Sequence, residues 1–247
     1  MYNRYQWSAV GITKIILINL FCCGLQAIEQ APQALTTSKC CSSKGISNLK
    51  FVLTGGPGVG KTSVGNALKQ RGFMVAKEAF SDLFEDYVLR EQTKGLSQKD
   101  SENNFWKFII TESVAFRRVL MCRQLELEEA AEKLHGIMFV DRGTPDIVAF
   151  GDVFGIYMTP EFRLLAESHE YNKYVFFLEP LPKELYQQTH VRHESYEESV
   201  KMHNTFKDLY RKFGYTVVEV PFDTIANRVS FILNHVNAIC PGYMTVN

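Results

Sequence analysis

Residues 54–63 read Thr-Gly-Gly-Pro-Gly-Val-Gly-Lys-Thr-Ser, and these residue types at this spacing suit the gripping of a phosphate chain. From Gly55 to Thr62 the stretch matches G-x-x-x-x-G-K-[ST]. Glycines let the backbone turn tightly, and their bare N–H groups can wrap anionic oxygens. Gly55, Gly56, Pro57, Gly58, Val59, Gly60, Lys61, Thr62 and Ser63 are therefore the expected phosphate-binding residues. The Lys61 ammonium would reach the β- and γ-phosphates, and the Thr62 hydroxyl would face Mg²⁺. Phe51-Val52-Leu53 upstream reads as a buried strand. Val64, Ala67 and Leu68 downstream share one helical face that stops at Gly72. The phosphates would then sit at a helix N-terminus, where free donors and the dipole favour anions.

Three further positions could complete the chemistry. Asp141 ends the apolar run Gly-Ile-Met-Phe-Val and can hold Mg²⁺ directly or through water. Its neighbour is Arg142, where nucleotide-driven motors place a glutamate that activates water. An arginine is no base at neutral pH, but it can clamp a phosphate or a carboxylate. Glu78 follows Phe-Met-Val-Ala and could accept a proton from a substrate hydroxyl or hydrogen-bond it. Arg192 lies in a loop, residues 181–194, that reads as a lid delivering positive charge to a transferring phosphoryl group. His190 and His193 read as loop histidines. Arg117, Arg118 and Arg123 lie on a long helix from which they could reach substrate, although a solvated face suits them better.

The elements that must position these groups alternate along the chain. Strands are expected near 50–54, 73–77, 137–141, 173–178 and 215–220, separated by helical stretches. One or two helices span about 101–134. Ser195 and Glu198 form a capping box that opens another, and a last helix follows Pro221. Such alternation implies an α/β fold with a parallel sheet and helices on both faces. Ligands in such sheets gather beyond the carboxyl ends of the strands, where Asp141 and Glu78 fall.

Lys+Arg and Asp+Glu are equal at 27 each in 247 residues, so no basic field argues for a nucleic-acid partner. Asn172-Lys173 lacks the aspartate two residues on that guanine-specific switches use, so no guanine readout is visible, and ATP is the expected nucleotide. Six cysteines show no C-x-x-C or zinc spacing. Residues 1–27 resemble a signal peptide or anchor, residues 28–48 a polar linker, and residues 49–240 a catalytic domain. Membrane attachment through residues 8–28, or export, pulls against the cytosol-like compartment that ATP and Mg²⁺ imply. Nothing in the pattern specifies an oligomeric state.

Taken in order, the pieces "TGGPGVGKTS", "VAKEA", "FVDRGTPDIVAF", "YVFFLEPLP", "VRHESYEES" and "YRKFGYTVVEVP" running into "RVSFIL" resemble an AAA-type P-loop domain. That domain is shared by nicotinamide-ribonucleoside kinases of the NadR type and a eukaryotic TRP-channel translocation-defect protein. The resemblance covers about residues 49–238. It implies a P-loop NTPase three-layer sandwich of about five parallel strands, nucleoside- or nucleotide-kinase-like, with Lys61, Thr62 and Asp141 as the nucleotide and magnesium residues. Residues and resemblance together lead to the expectation of a Mg²⁺- and ATP-dependent kinase with a small-molecule acceptor. The alternatives are a slow NTPase switch and a nucleotide- or lipid-binding module that recruits a partner.

Overall fold

A computed structural model describes residues 49–132, 136–187 and 194–241. The signal-like segment, the polar linker, Arg192, His190 and His193 lie outside the described residues. Within them, five strands form one parallel sheet: β1 (Lys50–Thr54), β2 (Met74–Ala76), β3 (Met138–Asp141), β4 (Tyr174–Leu178) and β5 (Thr216–Val220), in the order β2-β3-β1-β4-β5. Every strand forecast from the sequence is present, within a residue or so at each end.

Among the described residues, eight α-helices connect and cover the sheet: α1 (Lys61–Gln70), α2 (Ala79–Thr93), α3 (Gln98–Thr111), α4 (Ser113–Glu132), α5 (Thr144–Val153), α6 (Pro160–Ser168), α7 (Tyr196–Lys212) and α8 (Ile225–Ile239). The apolar stretch expected at 101–134 is two helices, interrupted at Glu112, whose backbone leaves the helical region (φ −119°, ψ 41°). The Ser195–Glu198 capping box is present, the Ser195 hydroxyl accepting from Glu198 N and the Glu198 carboxylate from Ser195 N.

Alternation along β1 divides the core. Phe51 and Leu53 join Phe139, Phe176 and Leu178 beneath α1 and α8. Val52 joins Val140, Val175 and Phe177 beneath α2, α4, α5 and α7. All five residues of β1 are buried, as expected for a central strand covered on both faces. Each fully buried Phe or Leu contributes roughly 2 kcal/mol. A one-residue slip would exchange the two faces, so the register is strongly specified. Register matters here because it sets Leu53 of β1 beside Asp141 of β3, bringing the last residue of β3 to the base of the glycine-rich loop.

The chain leaves β1 toward one edge and leaves β3 toward the other, so a crevice opens between their carboxyl ends. At the opposite edge of the sheet, Lys50 is buried against Glu128 (3.2 Å) and Glu132 (2.5 Å). Glu128 also accepts from Gln124 and from the Tyr171 hydroxyl, both at 2.8 Å, and lies 2.8 Å from His169. Burial alone would raise the Glu128 pKa, but His169, Lys50 and these donors hold it below the usual carboxylate range. This network anchors α4 to the sheet. Glu128→Ala would leave Tyr171 and Gln124 without their acceptor and unbalance Lys50, costing about 3 kcal/mol. Urea unfolding showing a loss below about 1 kcal/mol would contradict that role.

Candidate functional site

Gly55 and Gly56 show why the loop after β1 needs glycine. Gly55 has φ 139°, and a Cβ there would lie 2.7 Å from Leu178 O. At Gly56 a Cβ would lie 2.7 Å from Ser199 O. The loop therefore packs directly against the end of β4 and the backbone of α7. Gly60, at φ 86°, turns the chain into α1 as its N-cap. Lys61, Thr62 and Ser63 occupy the first turn, with Lys61 buried and Thr62 and Ser63 exposed.

Lys61 Nζ donates back to Gly56 O at 3.0 Å and, at 3.4 Å, to Gly55 O. Burial and the nearby Arg142 cation lower its pKa to about 7, with Asp141, Glu78 and Asp146 pulling the other way. Asp141 is the counterpart. Burial and Glu78 raise its pKa to about 7, against the attraction of Lys61 and Arg142. Asp141 Oδ1 is buried and accepts no hydrogen bond among the described residues. A carboxylate oxygen so placed suits a divalent cation. The donor set, one hydroxyl and one carboxylate, also suits Mg²⁺, which is bound through few protein oxygens together with phosphates and water.

Arg142 is braced beside this pair. Its guanidinium is held by the protein itself: Nε donates to Glu78 Oε1 (2.6 Å), and Nη1 donates to Asp146 Oδ1 (3.0 Å) and Gly55 O (3.1 Å). Phe150 lies under it at 4.9 Å. Nη2 makes no hydrogen bond among the described residues, so one edge is left for a ligand. The backbone of Arg142 has φ 67°, the only positive value at a non-glycine position among the described residues. Such a conformation costs of order 1 kcal/mol and persists only where surrounding contacts enforce it.

Glu78, two residues past β2, is the N-cap of α2, and Ser81 donates to its Oε2 at 2.8 Å. Burial works to raise its pKa, but Arg142 and Lys61 outweigh burial and hold the carboxyl below its ordinary value. Glu78 is thus an ionised, oriented acceptor rather than a strong base. Lys61, Asp141, Arg142 and Glu78 are brought together as the sequence suggested.

Four contributors escaped the sequence reading. Asp146 accepts from Thr54 Oγ1 (2.5 Å), Tyr210 Oη (2.5 Å), Gly143 N (3.0 Å) and Arg142, and fixes the turn after β3. Ser199 Oγ donates to Pro57 O at 2.6 Å, and His203 Nδ1 accepts from Gly56 N at 3.2 Å, both from α7. The Gly56 N–H, expected to face phosphate, is thereby engaged by His203. From α8, buried Arg228 donates to Val59 O (2.7 Å) and Glu179 O (3.2 Å). The loop is clamped from both faces of the sheet. Only the aspartate carried a usable signal, as the last residue of the Asp-Arg-Gly-Thr-Pro-Asp piece. Ser199, His203 and Arg228 lie 142 to 169 residues from their partners in sequence.

Burial, with Lys207 and Lys61 nearby, lowers the His203 pKa to about 4, while Glu219 opposes. His203 is therefore neutral in the fold. The unfolded chain binds its proton more readily, so stability falls as pH drops from about 6.5 to 4, by up to about 3 kcal/mol. Denaturant titrations across that window should show the decline. His203→Asn, whose side-chain oxygen can take the Gly56 bond, should flatten it; an unchanged slope in the variant would contradict the assignment.

A family model described as an AAA domain matches residues 50–228. No curated protein matches the chain. Among solved structures, a deoxyadenosine kinase from M. mycoides with bound dATP is 15% identical at a TM-score of 0.48, covering 76% of this chain and 99% of that one. A thymidylate kinase from Candida albicans is 11% identical at 0.49, covering 78% and 92%. A shikimate kinase from Acinetobacter baumannii is 18% identical at 0.47, covering 81% and 99%. The fold assignment rests on the strand order and the family match. From the first residue of β1 to the arginine that braces the glycine-rich loop, the chain belongs to the AAA_28 family of P-loop domains.

Proposed function

We propose that the protein transfers the γ-phosphoryl group of ATP to a small-molecule acceptor. The observation that carries this reading is the pairing of Glu78 with Arg142 beside Asp141. A carboxylate and a cation are held together at the phosphoryl-transfer position, where a hydrolytic motor would carry a free glutamate for water. Glu78, already ionised, accepts the hydroxyl hydrogen of the acceptor and aligns its oxygen with the γ-phosphorus. The acceptor O–P bond forms as the bond to the β–γ bridging oxygen breaks, and ADP leaves. The acceptor proton passes to Glu78 or Asp141. Phosphoryl transfer gains most from positioning and charge neutralisation, so a weak base suffices.

Lys61 moves from the Gly55 and Gly56 carbonyls to the phosphates, exchanging two neutral acceptors for charged ones. Backbone N–H groups from Gly58 to Ser63 line the remaining oxygens. Mg²⁺ held by Thr62 and Asp141 would neutralise the β- and γ-phosphate charge. Arg142 stabilises the transferring group through its Nη2 edge, and Arg192, outside the described residues, would supply a second cation.

A slow NTPase switch is the rival, favoured by the bonds that Ser199 and His203 make between α7 and the loop. Such bonds would pass nucleotide occupancy to the lid. The two readings separate on one assay, ADP release by the full chain across a metabolite library. The kinase reading predicts at least about a tenfold rise with the right acceptor, and a loss of about 100-fold in Lys61→Ala. Equal release with every acceptor and with none would reject it in favour of the switch.

A further inference from the structure

Arg117 contradicts the expectation of a solvated helix face. It is 5% exposed, and its Nε is buried without a partner. Arg118 is half-buried, and Arg123 is paired with Asp82 at 2.5 Å. Arg142 and Arg228 are buried too, but each donates to protein oxygens. Arg117 makes no hydrogen bond or ion pair among the described residues, and its guanidinium carbon lies 5.7 Å from the Phe116 ring. Burial lowers its pKa to about 10, which leaves it charged at neutral pH.

Its place in the fold follows from α4. Gln124 on the same buried face donates to Arg142 O at 3.0 Å, and Glu128 below it reaches Lys50 at the start of β1. The helix therefore runs from beyond the carboxyl edge of the sheet down toward its amino edge. Arg117 is seven residues before Gln124, about 10 Å further out along the axis. Phe116 packs edge-on against Phe80 at 6.0 Å, and Phe80 is two residues past Glu78. Phe80 also meets Phe105 at 5.9 Å and Trp106 at 5.8 Å. An unpaired cation thus stands beside Phe116, whose ring joins the aromatic cluster that begins at Phe80, two residues past Glu78.

A buried charge without a partner destabilises the protein that carries it, and removing such a charge commonly stabilises. A ligand anion offsets that cost, more strongly in a low-dielectric aromatic setting. We propose that Arg117 is an anion-binding subsite for the phosphoryl acceptor, which therefore carries a carboxylate or phosphate group in addition to the hydroxyl that is phosphorylated. This specificity rests on the phosphotransferase reading. The anion pairs with the guanidinium while the hydroxyl lies at Glu78, so the acceptor spans the aromatic cluster between them.

The test uses the full chain with its phosphate loop saturated by a non-hydrolysable ATP analogue and Mg²⁺. Inorganic phosphate or acetate is titrated at constant ionic strength against chloride, and thermal unfolding is followed. At least one anion should raise the wild-type midpoint by about 3 °C. Response to phosphate alone identifies a phosphorylated acceptor, and response to acetate alone a carboxylate. Arg117→Met should lose the response, bind the analogue unchanged, and be at least as stable as wild type without anion. Arg117→Lys should keep part of the response. A wild type indifferent to both anions, an Arg117→Met variant that responds like wild type, or one that is less stable without anion would each overturn the subsite. Should the analogue fail to bind wild type, the phosphotransferase reading falls, and the anion response without analogue still decides the role of Arg117.

Discussion

The buried guanidinium of Arg142 is the interaction on which the site depends. It binds Glu78 at the end of β2, Asp146 in the first turn of α5 and the Gly55 carbonyl at the start of the loop. One cation thereby couples three segments that meet only because β3 lies between β2 and β1. Its carboxylate partners could not share this volume unpaired, and their attraction keeps Arg142 firmly charged despite burial. The left-handed backbone at Arg142 is the local cost of bending back over the strand end it has just left. The neighbouring pair, Lys61 and Asp141, stays undersatisfied: one is folded onto carbonyls, and the other has a bare buried oxygen.

Rigidity of the phosphate loop has its own sources. α7 holds Pro57 O and Gly56 N through Ser199 and His203, and α8 holds Val59 O through Arg228. Ser199 and Arg228 thus hold two carbonyls of the loop and His203 one N–H, which leaves the N–H groups from Gly58 onward for an anion.

The sheet was legible because its strands are short apolar runs, each closed by glycine, proline or a charged residue. Local spacing likewise exposed Lys61, Thr62 and Asp141, and Glu78 followed from its place at a strand end. Arg142 was found but given a ligand to hold, since sequence does not show that Glu78 and Asp146 converge on it. His203 and Arg228 were illegible for the same reason, their partners lying in distant segments. Arg117 misled differently: three arginines on one helix resemble a solvated face, yet a helix turns by about 100° per residue. Arg117 and Arg118 therefore face different surroundings, and only Arg117 follows Phe116, Leu120 and Met121 inward.

In the proposed mechanism, the buried Asp141 Oδ1 takes the cation that accompanies a triphosphate. Calorimetric titration of ATP into the full chain, with and without Mg²⁺, tests it most directly when wild type is compared with Asp141→Asn. The account predicts that Mg²⁺ tightens ATP binding by wild type at least about tenfold, and that the variant loses most of that gain while its Mg²⁺-free affinity holds. Identical Mg²⁺ dependence in the two proteins would contradict it.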